Sequence, residues 1–126
     1  MQTKETNCPC GSLKKYNNCC ALIHNNIFEA KTAEQLMRSR YTAFVIANGT
    51  FLQKSHASKT RPNTREQKDL LQWTKSVDWI KLEILKSTKD TVEFKAFFQL
   101  NGKLDVIHEK SQFIIENGYW VYFGIV

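Results

Sequence analysis

The sequence predicts an α+β fold with a cysteine-rich N-terminal segment, a helical middle and an antiparallel sheet at the end. All four cysteines lie within the first twenty residues. Residues 32–75 contain helix start signals and 3.6-residue apolar periodicity. From residue 77 onward, apolar and polar residues alternate between short turn signals, which is typical of consecutive strands. A chain of 126 residues suffices for one domain with one small appendage.

Composition excludes several classes of protein. The chain is 42% hydrophobic and 24% charged, which is ordinary for a soluble globular protein and argues against wholesale disorder. No apolar run approaches the ~18 residues that a membrane-spanning helix needs, so we expect no membrane insertion. The N-terminus, Met-Gln-Thr-Lys-Glu-Thr, lacks the apolar core of a secretory signal. We therefore expect a cytoplasmic protein.

The four cysteines are crowded into thirteen residues. They are Cys8, Cys10, Cys19 and Cys20. Four thiolates can surround one Zn²⁺ ion, and Gly11 and Ser12 supply a turn directly after the first pair. Such a site carries a local charge near −2, which Lys14 and Lys15 could offset. Zinc is the first interpretation and free or redox-active thiols the second. Disulfides come last, because the loops would be very short and no export signal is present.

Residues 8–20 resemble the SEC-C motif, the zinc-binding tail of the SecA translocase. That motif runs Cys-x-Cys, eight residues, then Cys-Cys or Cys-His, with Gly-Ser-Gly-Lys-Lys-Tyr inside it. The four cysteines fall on its ligand positions, and Leu13 stands where the motif usually has glycine. In SecA the motif serves protein contact. The resemblance implies a Zn²⁺ cofactor and a docking surface of Lys14, Lys15 and Tyr16, exposed between the ligands, for a protein or ribosomal surface.

The middle of the chain opens with a strong helix signal. Residues 25–31 are polar and are predicted to form a short linker. Thr32 and Gln35 have the spacing of a capping box, and no glycine or proline follows until the Asn-Gly pair that begins at Asn48. These signals predict a helix over 33–47.

One charged residue lies on the apolar face of this helix. That face comprises Ala33, Leu36, Met37, Tyr41, Ala43, Phe44 and Ala47, whereas Glu34, Arg38, Ser39 and Thr42 lie elsewhere. Arg40 falls near the middle of the apolar arc. An unpaired buried charge costs several kcal/mol. Arg40 must therefore either extend to a solvated edge or find a partner inside the core.

Residues 50–75 are polar and basic. They carry +4 of the net charge of +6. We predict a short helix over 50–56 and another over 64–73, the second beginning with a capping-box pattern from Thr64 to Gln67. Charge runs are usually solvated faces, and this one lacks aromatic residues until Trp73. We expect weak, non-specific RNA contact at most.

Four strands with short connections complete the chain. They are predicted over 77–86, 91–100, 105–116 and 119–125. Two of the connections contain Asn-Gly, so the strands form an antiparallel meander. Glu109 lies on the core face of the third strand, and His108 points away. If helix and sheet pack together, Arg40 and Glu109 are expected to meet and satisfy each other.

The remaining core-facing positions follow from the two-residue period. They are Ile80, Leu82 and Ile84 in the first strand, Val92, Phe94, Ala96, Phe98 and Leu100 in the second, and Ile107, Ser111, Phe113 and Ile115 in the third.

Nearly the whole chain resembles the YchJ-like family of small bacterial SEC-C proteins. The resemblance rests on residues 32–44, on His108-Glu109-x-Ser111-x-Phe113, and on Gly118-x-Trp120-x-Tyr122. It implies a SEC-C zinc knuckle over 1–24 and a nuclear transport factor 2 (NTF2)-like cone over 25–126, with helices packed on a curved antiparallel sheet. Where the family tends to have His-Pro, this chain has His56-Ala57. Many members carry a second SEC-C motif, and residues 117–126 contain no cysteine.

Two functions follow from these expectations. The first is a zinc-binding adaptor that docks through its knuckle. The alternative is a small-molecule-binding or hydrolytic domain that uses the interior of the cone. The candidate pocket residues are Arg40, Tyr41, His56, Glu109 and Trp120. His56 is the only histidine expected to point inward. No phosphate loop, nucleophile elbow or carboxylate–histidine metal triad is present, so the sequence favours a binding protein over an enzyme.

Overall fold

The structure, a computed structural model, describes residues 6–126. Within that range the helices are α1 (Cys20–Asn25), α2 (Ala33–Val45), α3 (Gly49–Lys54) and α4 (Thr64–Ser76). The strands are β1 (Asp78–Ser87), β2 (Thr91–Leu100), β3 (Lys103–Glu116) and β4 (Tyr119–Ile125). The predicted α+β class is confirmed. The domain boundary between residues 24 and 25 stays a prediction, and α1 lies across it.

The strands form one sheet in the order β1-β2-β3-β4, and every neighbouring pair is antiparallel. Asn-Gly turns join β2 to β3 and β3 to β4. Asn101 and Gly102 have φ of 53° and 78°, and Asn117 and Gly118 have φ of 55° and 87°. Positive φ at both central residues is what a type I′ hairpin requires. The predicted meander and its turns are therefore confirmed.

The helices pack on one face of the sheet around α2, which contacts β1, β2 and β4. The largest fully buried apolar side chains are Leu36, Leu52, Val92, Phe113 and Val121. They come from two helices and three strands, so the core is common to both layers. Between residues 6 and 126 no helix combines the length and apolarity that crossing a bilayer requires.

Helix α2 is buried on two sides. Its apolar face covers the sheet, as predicted. Ser39 and Thr42, which lie off that face, are also fully buried, because α1 and the cysteine segment cover them. The N-terminal segment is therefore packed along the back of the central helix of the cone.

Several helix ends differ from the prediction by up to three residues. Helix α2 ends at Val45, and Ala47 takes the left-handed conformation with φ of 56°. Asn48 then caps α3, accepting a hydrogen bond from the Phe51 amide. Helix α4 is capped by Asn63, one residue before the predicted cap, in a complete capping box with Glu66. At the start of α4, asparagine thus replaces the neighbouring threonine as the N-cap, in line with its stronger preference for that position.

Residues 25–31 are not a linker. They comprise the end of α1 and a single 3₁₀ turn, Ile27–Glu29, whose Ile27 is buried. Another deviation lies in β1, where a bulge follows Trp79. The bulge places Trp79 in the core and leaves Ile80 48% exposed, so the predicted inward orientation of Ile80 is wrong.

Candidate functional site

The four cysteines form one cluster. The Sγ atoms of Cys8, Cys10, Cys19 and Cys20 all lie within 4.8 Å of one another, and the pair from Cys10 and Cys19 is 3.7 Å apart. Four sulfurs around a tetrahedral Zn²⁺ are separated by about 3.8 Å. The cluster matches that spacing to within about 1 Å. These four residues could therefore hold a metal ion.

Hydrogen bonds within the cluster favour a thiolate. The thiols of Cys20 and Cys8 lower the pKa of the Cys10 thiol, whereas burial raises the pKa of Cys19 and the hydrogen bond to Cys10 raises that of Cys20. Ser12 Oγ lies 3.1 Å from Cys19 Sγ. One thiolate, at Cys10, is therefore favoured without metal, and a metal that binds the deprotonated sulfurs would release the protons of the others.

The turn between the cysteine pairs contains two left-handed residues. Gly11 has φ of 83° and Leu13 has φ of 69°. Leucine adopts this conformation at a cost of roughly 1–2 kcal/mol, whereas glycine adopts it freely. The SEC-C consensus glycine at position 13 thus has a conformational reason. Leu13 adopts the left-handed conformation of this turn although it carries a side chain, and that side chain is 84% exposed.

Helix α2 contacts the cluster directly. Thr42 Oγ1 lies 3.3 Å from Cys20 Sγ and 3.6 Å from Cys8 Sγ. Arg38 donates from Nη1 to the Cys10 carbonyl oxygen at 2.6 Å and from Nε to Glu34 at 3.0 Å. Arg38 is therefore the structurally placed cation beside the thiolates, a role that sequence reasoning assigned to the lysines.

The predicted docking residues differ in exposure. Lys14 and Lys15 are exposed, whereas Tyr16 is partly buried. The Tyr16 hydroxyl lies 3.0 Å from His24 Nδ1, and His24 Nε2 lies 2.8 Å from the Ser39 carbonyl oxygen. Tyr16 therefore belongs to a bridge between the knuckle and α2, and the prediction of an exposed Tyr16 is wrong.

His24 is the inward histidine that the sequence analysis missed. It packs against Phe51, with ring centroids 4.6 Å apart. Burial lowers its pKa below the ordinary value, so the neutral ring is favoured. The expectation that His56 alone points inward is therefore wrong. The residue was hidden because it lies in the segment between the metal motif and the expected linker.

A cavity of about 300 Å³ lies between the helices and the sheet. Its wall is largely apolar and includes Met37, Tyr41, Phe44, Leu52, Leu70, Trp73, Trp79, Phe94, Ala96 and Ile107. Its polar groups come from Arg40, His56, Gln67, Glu109, Ser111 and Tyr122. Four of the five predicted pocket residues therefore line it.

Trp120 does not line the cavity. It packs against the main core, whereas Trp73 and Trp79 supply the indole rings of the cavity wall. Trp79 could not be assigned from periodicity, because the bulge after it shifts the phase of β1.

Arg40 is buried at the inner end of this cavity. Its Nη1 donates to Leu52 O at 3.0 Å and to Ser55 Oγ at 2.7 Å. The guanidinium also lies 4.8 Å from the centroid of the Tyr122 ring. Burial lowers its pKa to about 10, so it remains a cation at neutral pH. Its other three N–H groups make no hydrogen bond to residues 6–126.

Glu109 shares the cavity with Arg40 without contacting it. No ion pair within 4.0 Å joins them in the described part of the chain, so the predicted direct pairing is wrong. Arg40 is held by α3 and the residue after it. Burial raises the pKa of the Glu109 carboxyl, and the field of Arg40 opposes that rise.

Ser111 is the second residue with an unused donor. It is fully buried in the cavity wall, and its hydroxyl makes no hydrogen bond of good geometry within the described chain. It lies near enough to the Glu109 carboxyl to oppose, more than Arg40 does, the rise in the pKa of that group that burial causes. Most buried hydroxyls are paired, so this one indicates an absent partner.

His56 and two tyrosines complete the polar rim. Burial, with the charges of Arg40 and Arg61, lowers the pKa of His56 to about 4, so its ring is neutral at pH 7. Burial raises the pKa of Tyr122 and of Tyr41, so both hydroxyls stay protonated. The cavity thus offers donors around one permanent cation.

Ala57 explains how this chain manages without the family proline. The turn persists, since Thr60 N donates to Ala57 O at 3.2 Å. Ala57 N also donates to Tyr122 O at 2.8 Å, a bond that proline could not make. The hydrogen bond therefore replaces ring rigidity in fixing His56 beside β4.

Comparison with known proteins agrees with this geometry. Residues 32–124 match the family model described as YchJ, middle NTF2-like domain. A UPF0225 protein of Shewanella sp. (strain MR-4) is 40% identical over 95% of this chain and 80% of its own length. A UPF0225 protein of Vibrio parahaemolyticus is 37% identical over 93% of this chain and 72% of its own length.

Two solved structures are similar over nearly the whole chain. A SEC-C motif containing protein from Rhodopseudomonas palustris superposes with a TM-score of 0.83, at 29% identity, covering 96% of this chain and 98% of that one. A SEC-C motif containing protein from Psychrobacter arcticus gives 0.77 at 28% identity, covering 98% and 82%. The protein thus belongs to the class of NTF2-like domains that carry a SEC-C cysteine cluster. The chain belongs to the YchJ-like UPF0225 family.

Proposed function

We propose that the protein binds a small, largely apolar molecule inside its cone, while the cysteine knuckle holds Zn²⁺. The observation that carries this proposal is the pair of buried donors in the cavity. Arg40 has three unused N–H groups and Ser111 has an unused hydroxyl, and both residues line a space of about 300 Å³ with an apolar wall. Convergent polar groups in an apolar cavity are the usual form of a small-molecule site.

A blocked cavity tests this function. Ala96 is buried in the cavity wall, and its neighbour Lys95 lies on the opposite face of β2. Ala96→Met should fill the cavity, and Lys95→Met adds the same side chain outside it. A ligand-observed NMR screen of neutral, anionic and cationic aromatic fragments should give hits with wild type and Lys95→Met, and lose them with Ala96→Met. Absence of any cavity-dependent hit would contradict the proposal.

Zinc in the knuckle has its own test. The donor set of four sulfurs suits Zn²⁺ and disfavours hard cations. Protein purified under reducing, chelator-free conditions should contain about one zinc per chain. Cys10→Ser should lose most of it, whereas Ser12→Ala should retain it, because Ser12 hydrogen-bonds Cys19 and the Lys14 amide but offers no sulfur ligand. A zinc content well below one per chain in the wild type would contradict the assignment.

Docking through the knuckle is a second candidate function. Leu13 is 84% exposed beside exposed Lys14 and Lys15, so an apolar tip is flanked by positive charge. This surface suits a protein or ribosomal partner in the cytoplasm, where thiols stay reduced. Cosedimentation with ribosomes should fall with Leu13→Ser and survive moderate salt. Binding that instead vanishes with salt and depends on Lys59 and Arg65 would indicate weak RNA attraction.

A further inference from the structure

We propose that the ligand of the cone is an apolar monocarboxylic acid, bound as its carboxylate by Arg40 and Ser111. This inference rests on the proposed function of the cavity and specifies the chemistry of its occupant. Its support is the unused donors, the lack of a carboxylate in contact with Arg40 and the character of the wall.

The unused donors define the head group. Arg40 Nη1 is consumed by Leu52 O and Ser55 Oγ. These two bonds fix the plane of the guanidinium, and leave the Nε and Nη2 groups free. That edge of an arginine presents two parallel N–H groups, which a carboxylate accepts in bidentate fashion.

No counter-charge touches Arg40. Arg40 is 5% exposed, and no carboxylate of residues 6–126 lies within salt-bridge distance of it. The Tyr122 and Phe44 rings lie 4.8 and 6.0 Å from its guanidinium, and the charge of Glu109 acts on it only from beyond 4.0 Å. A buried cation without a contacting carboxylate favours an anionic ligand over a neutral one.

Ser111 supplies a further donor on the sheet side. Its hydroxyl makes no hydrogen bond of good geometry in the described chain, so rotation about the Cβ–Oγ bond can direct the donor toward a ligand or toward Glu109. Arg40 comes from the helix layer and Ser111 from β3, so the head group would be held between the two layers. A water molecule would satisfy these donors less well than a carboxylate, because water brings no negative charge to Arg40.

Glu109 does not prevent this binding. Its carboxyl is half-buried beside the same cavity, and burial already raises its pKa. An incoming carboxylate would raise that pKa further and so favour the protonated form of Glu109, which can donate a hydrogen bond. The other titratable side chains that line the cavity, His56, Tyr41 and Tyr122, carry no negative charge at neutral pH.

The wall defines the body of the ligand. Tyr41, Phe44, Trp73 and Trp79 form a connected set of edge-to-face and tilted ring contacts along one side of the cavity. The volume of about 300 Å³ is at the lower end for ligand sites. An aromatic ring or short branched chain with one carboxylate fits both constraints, and a long acyl chain or a nucleotide does not.

Matched probes test the head group. The zinc-loaded full chain is titrated with phenylacetate, 3-phenylpropionate, indole-3-acetate and hexanoate, and with the methyl ester and the corresponding amine of each. Binding is followed by calorimetry and by amide chemical shifts of cavity residues. We expect at least one acid to bind with a Kd below about 10 mM, and about tenfold more tightly than its ester or amine.

Variants separate the possible outcomes. Arg40→Lys should weaken acid binding about tenfold, because it keeps the charge and loses the fork. Ser111→Ala serves where Arg40→Lys does not fold, since no hydrogen bond holds its hydroxyl, and it should weaken acids more than esters. Lys95→Met should change the affinity for neither the acids nor the esters.

Each contrary result is decisive. If esters or amines bind as tightly as acids and Ala96→Met abolishes them, the carboxylate assignment fails and the cavity function stands. If no acid binds and no fragment of any charge binds in the cavity, both proposals fail.

Discussion

Arg38 donates a 2.6 Å hydrogen bond to the main-chain oxygen of Cys10, a residue of the cysteine cluster. The bond joins the central helix of the cone to the cysteine segment. Thr42, one turn further along α2, approaches two more of the cysteines. The structure of the cysteine segment therefore depends on its contacts with the cone.

Removing the Arg38 side chain should loosen the knuckle. Arg38→Gln should lower the free energy of unfolding by about 1.5–3 kcal/mol, because a charge-assisted hydrogen bond to a partly buried carbonyl is lost. It should also speed zinc transfer to a chelator. Glu34→Gln is the control, since it weakens a surface pair and leaves the Cys10 bond, and it should cost less than about 1 kcal/mol. Equal effects would argue against an anchoring role.

The strained residue in the cysteine turn offers a stabilising change. Leu13→Gly should raise the free energy of unfolding by about 0.5–1 kcal/mol, because relief of the left-handed strain outweighs the added freedom of the unfolded chain. Lys14→Gly should be destabilising, since Lys14 has no positive φ. Chemical denaturation of the zinc-loaded protein would show the difference. If Leu13→Gly destabilised as much as Lys14→Gly, the strain argument would be wrong.

Two buried serines should respond oppositely to truncation. Ser55 Oγ accepts from Arg40, so Ser55→Ala should cost about 1–3 kcal/mol by leaving a buried cation short of a partner. Ser111→Ala should be neutral or slightly stabilising in ligand-free protein, because its hydroxyl has no hydrogen bond to lose. Both residues are fully buried serines, so each controls for the other. A large loss in Ser111→Ala would reveal an internal partner for its hydroxyl.

His56 makes stability depend on pH. Its pKa is about 4 in the folded protein against an ordinary value of 6.5, so the unfolded chain binds the proton first on acidification. The contribution of neutral His56 to the free energy of unfolding is fully present above pH 6.5 and is lost as the pH falls toward 4. His56→Gln should flatten the dependence of the unfolding free energy on pH in this window, as measured by chemical denaturation at a series of pH values. His24, whose pKa is also lowered, accounts for residual slope.

Much of the fold could be predicted because its signals are local. The Asn-Gly turns, the capping residue Thr32 and the alternation in β2 each act within a few residues. The cysteine cluster could also be predicted, since the type and the spacing of its four residues are read directly from the sequence. Arg40 and Glu109 were correctly singled out as charges on core faces, and both line the cavity.

Most of the errors come from contacts between distant segments. Periodicity places Ser39 and Thr42 off the apolar face, and only the packing of the knuckle buries them. It pairs Arg40 with Glu109, but carbonyl and hydroxyl acceptors near the end of α3 are closer. The bulge after Trp79 puts Trp79 instead of Ile80 on the core face, leaves Leu82 on its predicted face, and has no sequence marker such as glycine. The first two errors are tertiary contacts overriding a local pattern, and the third is a local irregularity that periodicity does not reveal.

The positions of Arg38 and Arg40 limit how the cysteine knuckle and the cone can be recombined with those of other proteins. Two residues along an α-helix correspond to about 200° of rotation, so one arginine faces the knuckle and the other the cavity. A single inserted residue between them would turn one away from its target by about 100°. A knuckle transplanted onto another cone would therefore need its own arginine and threonine in register on the receiving helix. The cysteine segment and the cone are therefore not independent modules, because both pack on α2.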